Sequence, residues 1–281
     1  MKRIAFDLCQ AGYCEHPEVV TIKGGSFKSC QFPSLFGVIE HPDAGVLLYD
    51  TGYHPLYAEQ TSRFPEGLYP RLMPAYLEPD QTAKEQLQRR GVAAHDVTGI
   101  VISHFHGDHV AGLRDFPRAK FYALKSAFAN VDGKSRWRNL LNGYLPGLLP
   151  EDFRERVVWI DEVAAPRPQA AGLTRPTYDL FGDGALLAVE LAGHKSGQVG
   201  LRLQDERRGD IFLIADAAWS RRAVRELRPP QGLALAIMDD RRTYHQVLRE
   251  LHELEKRNPE LRLVPSHCVE TYREFQAEAA P

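Results

Sequence analysis

Residues 99–109 read Gly-Ile-Val-Ile-Ser-His-Phe-His-Gly-Asp-His, an apolar, β-branched run that ends in three imidazoles and a carboxylate. The run has the composition of a buried strand. Side chains of a strand repeat with period two, so His104 and His106 share a face at its end. Asp108 and His109 stand past the strand, where the chain can turn toward a second position. Nitrogen and oxygen donors of this kind suit zinc and other borderline divalent metals. A single ion does not easily take all four, so the spacing points to two adjacent metals. A plain polar loop is the competing meaning, and a lone histidine would favour it. Three histidines and an aspartate against an apolar strand do not.

Working outward, three more donors stand just past apolar runs. His194 follows LLAVELAG, Asp216 follows IFLIA and His267 follows LRLVPS. Loops gather at one edge of a sheet, so these positions are placed to converge with 104–109. Strands are expected at Ile4–Leu8, Val19–Ile22, Ser34–Glu40, Gly45–Tyr49, 99–104, Arg156–Ile160, Tyr178–Leu180, Ala185–Leu191, Val199–Leu203, Asp210–Ala215 and Leu261–Pro265, and 119–128 (AKFYALKSAF) reads as a strand and then a helix start. Helices are expected at Ala83–Arg90, closed by Gly91, and at Thr243–Lys256, where Val247, Leu248, Leu251 and Leu254 recur at helical spacing. Residues 126–156 read as a helical or loop insertion. The Pro/Arg-rich stretches 161–177 and 220–232 read as loops. Two αβ halves, roughly 1–155 and 156–281, would then share one core in a single domain.

The chain has 281 residues, long enough to bury a core without staples. Its 35 basic and 37 acidic residues leave a net charge of −2, which provides no field for nucleic acid or an anionic membrane. Four cysteines, none in a CxxC pair, are too few for a disulfide scaffold. No apolar run is long enough to span a bilayer and no secretory leader is evident. These features imply a reduced, cytoplasmic protein whose partner is a small molecule, with no nucleic acid or membrane involved. The oligomeric state is left open, a homodimer included.

The series HxHxDH, then His, Asp and His, with Asp50-Thr51-Gly52 upstream, resembles the metallo-β-lactamase superfamily of binuclear hydrolases over residues 46–267. The resemblance implies a four-layer αββα sandwich of two fused αβ halves. It also implies two divalent metals per chain, zinc foremost, with iron, manganese or cobalt as alternatives. It assigns His104, His106 and His194 to one metal and Asp108, His109 and His267 to the other, with Asp216 bridging. Asp50 would support the ligating histidines from behind.

Within the superfamily the chain is most similar to the N-acyl-homoserine lactonase-like group. That similarity rests on Ala11–Cys14 (AGYC), Pro33 before the strand leading to Asp50, and the insertion after the HxHxDH block. It implies opening of a small ester, a lactone first, by a hydroxide bridging the two metals. Asp108 and Asp216 would be the catalytic carboxylates, Asp108 passing a proton to the leaving oxygen.

The chain departs from that group at three places. Trp219 stands where the lactonases place a Tyr, Gly107 where a bulky residue is usual, and Lys195 follows His194. Candidate substrate contacts are Trp219, Phe105, Tyr144 and Lys195. Phe128, Trp137, Leu145 and Leu148 would line an apolar cleft, and Phe64–Tyr76 would form a lid or an interface. Tyr13 and His16 lie in an N-terminal segment expected to approach the metals, with His16 not expected to be a ligand. Phosphodiesterase and thioesterase activities share the fold, and Arg221, Arg225 and Arg228 would lie on one face of a helix able to hold phosphates. A sulfur-dioxygenase-like oxidoreductase and a non-catalytic metabolite sensor are further alternatives.

Overall fold

A computed structural model describes residues 2–167 and 172–279. Of the stretch 161–177, residues 168–171 therefore lie outside the described residues. Twelve strands among the described residues form two sheets. The first contains β1 (Ala5–Pro17), β2 (Ser29–His41), β3 (Gly45–Tyr49), β4 (Ala75–Tyr76), β5 (Val97–Val101), β6 (Lys120–Ala123) and β7 (Val157–Trp159), in the order β4-β1-β2-β3-β5-β6-β7. The second contains β8 (Thr177–Asp179), β9 (Leu186–Glu190), β10 (Val199–Asp205), β11 (Gly209–Ala215) and β12 (Arg262–Pro265), in the order β12-β11-β10-β9-β8.

Alternation along the strands builds the layers. Leu47 faces the other sheet, in a buried cluster with Leu201, Leu203, Ile211 and Leu213. Its neighbour Leu48 faces outward with Ile100, Phe121 and Leu87, the last from the helix Ala83–Arg89. On the other side Phe212, Ile214 and Leu263 meet Val247, Leu248, Leu251 and Leu254 of the helix Arg241–Arg257. That helix begins where the Asp240 side chain accepts the Thr243 N–H at 3.1 Å, a cap that satisfies one free donor of its first turn. Helices therefore cover both outer faces of two stacked sheets, the four-layer αββα sandwich.

Three expectations change. Val19–Ile22 is not a strand: β1 ends at Pro17, and Glu18–Val20 form a 3-10 turn in which the Glu18 carboxylate accepts the Ser26 N–H at 2.8 Å. The sheets divide after β7 rather than at 155/156, because Val157–Trp159 pair in parallel with β6. The arginine helix covers only Arg221–Arg225, since Leu227 adopts a positive φ of 50° and leaves Arg228 outside it. Residues 126–156 do form an insertion between β6 and β7, with helical segments at Arg136–Leu141 and Phe153–Arg156.

The topology also positions the donors. β3, β5 and β6 run parallel, as do β11 and β12, and β9 shares their direction through antiparallel β10. The segments after β3, β5, β9, β11 and β12 carry Asp50, the 104–109 cluster, His194, Asp216 and His267 respectively. Strand carboxyl ends of an αβ sheet are where crevices open. The sheets are tied at this edge, where Val199 N–H donates to the Ser103 carbonyl at 2.8 Å and the Tyr49 hydroxyl to the Val199 carbonyl at 2.7 Å.

Candidate metal centre

The expected donors converge in two groups. His104, His106, His194 and Asp216 each offer a donor atom, all within 4.8 Å of one another, and Asp108, His109 and His267 do the same. His194 Nε2 lies 3.2 Å from His106 Nδ1 and 3.4 Å from Asp216 Oδ2. Asp216 Oδ1 points the other way, 3.2 Å from His267 Nε2 and 3.5 Å from His109 Nε2. Asp108 Oδ2 stands 3.5 Å from His267 Nε2 and 3.9 Å from His109 Nε2. One carboxylate thus spans both groups with one oxygen toward each.

Three of the five imidazoles are held from behind by oxygen atoms. His109 Nδ1 contacts Asp50 Oδ2 at 2.7 Å, and His267 Nδ1 contacts the Pro33 carbonyl at 2.8 Å. An N–H on Nδ1 leaves the lone pair of Nε2 aimed into the centre. Asp50 also accepts the Ser103 N–H at 2.8 Å and the Ser103 hydroxyl at 2.7 Å, and that hydroxyl lies 3.0 Å from His104 Nδ1. Backbone contacts hold the ligand loop: Thr51 N–H and hydroxyl both donate to the His109 carbonyl, at 2.8 and 2.9 Å, and the Ser34 hydroxyl donates to the Asp108 carbonyl at 2.6 Å.

Some backbone strain accompanies this precision. Asp50 has φ 59° and Ala215, just before Asp216, has φ 48°. Non-glycine residues held there cost on the order of 1–2 kcal/mol each, which packing must offset. Gly52, at φ 68°, closes the turn against Ala11, where a side-chain carbon would lie only 2.5 Å from the Ala11 Cβ.

The donor set fits divalent cations. His104 Nε2, His109 Nε2 and Asp216 Oδ1 are buried without a hydrogen-bond partner, an arrangement a folded chain avoids unless another group satisfies them. Burial, with the positive charge of His109 beside it, holds His104 well below the ordinary histidine range; burial, with His194 beside it, does the same for His106. Both are therefore neutral, as ligation requires. Burial also opposes charge on His109, but Asp108, Asp50 and Asp216 outweigh it and push its pKa up to about 10. The buried carboxylates thus create a field that favours positive charge at the centre. The cluster is suited to a dinuclear metal site.

The four candidate substrate contacts fare differently. The Trp219 indole N–H donates to Asp216 Oδ2 at 2.8 Å, so this donor braces the carboxylate that lies between the two donor groups. Lys195 is buried, with its Nζ 3.1 Å from Asp239 Oδ1. Phe105 alternates away from its flanking histidines and packs with Phe128, Tyr144 and Phe153 in the outer core. Tyr144 is buried in that same core, as are Phe128, Leu145 and Leu148, so these side chains are interior packing and not a cleft wall. Gly107 does not open the pocket either, because a side-chain carbon there would lie 2.9 Å from the Tyr57 ring.

His16 stacks on Phe32 with ring centroids 3.9 Å apart, and its Nδ1 meets the Pro17 carbonyl at 3.1 Å. Tyr13 stacks on Tyr76, and both residues 13 and 16 belong to strand β1 rather than to a loop. Sequence reading missed two residues beside the centre. Cys14 is buried near Asp108 and Asp216, whose negative charges, after burial, raise its thiol pKa. Tyr69, in the 64–76 segment, adjoins His106 across Gly143: a methyl on Gly143 would lie 2.6 Å from the His106 ring and 3.1 Å from the Tyr69 hydroxyl. Burial, then the charge of Asp108, keeps that phenol protonated. Neither residue stands near the ligand motif in sequence, and only the tertiary fold brings them there.

Known proteins match this arrangement. The family described as the metallo-beta-lactamase superfamily matches residues 31–267. The N-acyl homoserine lactonase AiiB of Agrobacterium fabrum is 25% identical over 193 residues, 65% of this chain and 62% of that protein. The chain therefore spans less than two thirds of that relative's length. A probable metallo-hydrolase of Mycobacterium tuberculosis, Rv2300c, is 25% identical over 259 residues, 87% of this chain and 80% of that protein. Among solved structures, an N-acyl homoserine lactone hydrolase with N-hexanoyl-L-homoserine at its catalytic metal center superposes with a TM-score of 0.72 at 17% identity, covering 100% of this chain and 98% of that one. The dizinc quorum-quenching lactonase AidC gives a TM-score of 0.64 at 15% identity, covering 96% and 90%. With two stacked sheets, seven convergent donors and a family match that includes all of them, the chain belongs to the metallo-β-lactamase superfamily.

Proposed function

We propose that the chain is a binuclear metal-dependent hydrolase that opens a small ester, a lactone of the N-acyl-homoserine type first. The observation that carries this reading is the Asp216 carboxylate, whose two oxygens face the two donor groups, 3.4 Å from His194 and 3.2 Å from His267. His104, His106 and His194 would hold one cation and Asp108, His109 and His267 the other, with Asp216 shared. Two bound divalent ions, zinc first, supply Lewis acidity that polarises a carbonyl and lowers the pKa of water.

The chain's own groups do the rest. Asp216 is held in place by Trp219, and Asp50 fixes His109 directly and His104 through Ser103. The Asp108 side chain is 12% exposed, against 4% for Asp216, so it is the carboxylate that would take the proton released by the attacking water and pass it to the leaving oxygen. The lactonases among the relatives support the ester class.

The phosphodiester alternative loses its cationic support. Arg221 pairs with Glu274 at 2.8 Å, Arg225 with Glu270 at 2.7 Å and Arg228 with Glu226 at 2.7 Å. Lys195 is likewise occupied by Asp239.

A panel of lactones, thioesters and phosphodiesters on metal-loaded protein, with and without chelator, tests the reading. Lactone hydrolysis abolished by chelation and restored by zinc is expected. Turnover confined to phosphodiesters, or untouched by metal removal, would refute it.

A further inference from the structure

Behind His109 and His267 stand a carboxylate and a backbone carbonyl. Behind His194, in the other donor group, stands sulfur: its Nδ1 faces the Sδ of buried Met238 at 3.1 Å. A thioether is a weak acceptor, so it neither fixes the ring nor raises the basicity of the ligating nitrogen as an oxygen does. What holds His194 is its loop. The Asp239 N–H donates to the His194 carbonyl at 3.1 Å, and the Asp240 N–H to the Gly193 carbonyl at 3.0 Å. Gly193, at φ 131°, lies flush against the helix Arg241–Arg257, where a side-chain carbon would come within 2.5 Å of the Tyr244 backbone. The Asp239 carboxylate then grips the same loop. One oxygen accepts the Ser196 N–H at 2.8 Å and the Asn130 amide at 2.6 Å, and the other accepts from the Lys195 ammonium at 3.1 Å. The Lys195 and Asp239 side chains are only 7% and 15% exposed, so water screens the pair little.

We propose that Asp239 and Met238 are positioning residues for His194. The Asp239 carboxylate clamps the loop that carries the imidazole, while the Met238 thioether leaves it a weak ligand, so the ion held by His104, His106 and His194 is the first to leave. This rests on the two-ion reading of the centre above. Asp108, His109 and His267 belong to other loops, so the second ion should not feel the clamp.

Titration of the metal-free protein with zinc, in competition with a chromophoric chelator, reads the two ions separately. Wild type should load in two unequal steps, and His194→Ala should abolish the weaker one while sparing the tighter. Asp239→Asn should weaken the weaker step by about 10- to 100-fold and leave the tighter one unchanged. Met238→Gln puts an amide oxygen behind His194 and should tighten that same step by about tenfold, a gain that damaged folding cannot produce. If a melting curve shows Asp239→Asn to be unfolded, Met238→Gln decides by the same criterion. A wild type unable to bind two ions would remove the two-ion reading and this proposal together. Two ions of equal affinity, an Asp239→Asn effect shared by both steps, or a Met238→Gln step no tighter than in wild type would overturn the positioning roles alone.

Discussion

His109 is gripped by Asp50 at 2.7 Å through its ring and by Thr51 at 2.8 Å through its carbonyl, all of it buried. Across the centre, Trp137 is 52% exposed and meets the 64–76 segment through an edge contact with Phe64, itself 70% exposed. The two segments are otherwise joined by Arg136, which donates to both oxygens of Glu66 at 2.6 Å and to the Phe64 carbonyl at 2.8 Å. The ligand floor is thus over-determined by buried polar contacts, each costly to leave unmade. The 64–76 and 136–141 segments present apolar side chains to solvent and are joined by one bidentate ion pair whose guanidinium is exposed. A metal centre needs fixed geometry, whereas the surface that meets a substrate's variable part needs only apolar area.

Substitutions can break this contrast, beginning with the floor. Asp216→Ala should cause the largest loss: metal analysis should show the two-ion stoichiometry abolished, and turnover should drop by about 10³-fold. Unchanged stoichiometry would refute the bridging assignment. Asp50→Ala touches neither donor group with its own ligand atom, yet it should weaken metal affinity by about 10- to 100-fold, because His109 and Ser103 lose their anchor. Competition with a chromophoric chelator measures this, and wild-type affinity would show that the imidazoles orient themselves. Trp219→Phe removes one N–H from Asp216 and should weaken metal affinity by about tenfold, the scale of a hydrogen bond to a charged group. An effect on KM alone would instead make the indole a substrate contact. Arg136→Ala should matter least to the floor. Metal content and melting temperature should stay as in wild type, while KM rises for substrates with long acyl chains and not for short ones. Metal loss in that variant would mean that the two regions are mechanically coupled.

Much of the floor was legible because its donors lie beside their strands. GIVIS fixes β5, and the period of two puts His104 and His106 together and sends Phe105 to the core. His194, Asp216 and His267 could be picked out for the same reason, as polar residues that end apolar runs. Their division between two metals came from the family resemblance; in the structure His194 stands with His104 and His106, and His267 with Asp108 and His109. What failed were inferences about side-chain destination. Lys195 reads as a candidate substrate contact, yet Asp239 lies 44 residues further along the chain and meets it in a buried pair. Gly107 stands where a bulky residue is usual, and the Tyr57 ring fills the space beside it. The three arginines looked like one helical face, but the helix ends before Arg228 and each finds a glutamate.

The sequence by itself determined the strand-end donors, the amphipathic helix Thr243–Lys256 and a pair of αβ halves on one core, because periodicity and local spacing encode which face a residue occupies; the αββα class rested on the family resemblance. The tertiary structure decided the bracing of Asp216 by Trp219, the support of two histidines through Asp50 and Ser103, and the placement of Tyr69 beside His106. These depend on contacts between segments tens of residues apart, and a one-dimensional pattern carries the type of each donor but not its partner.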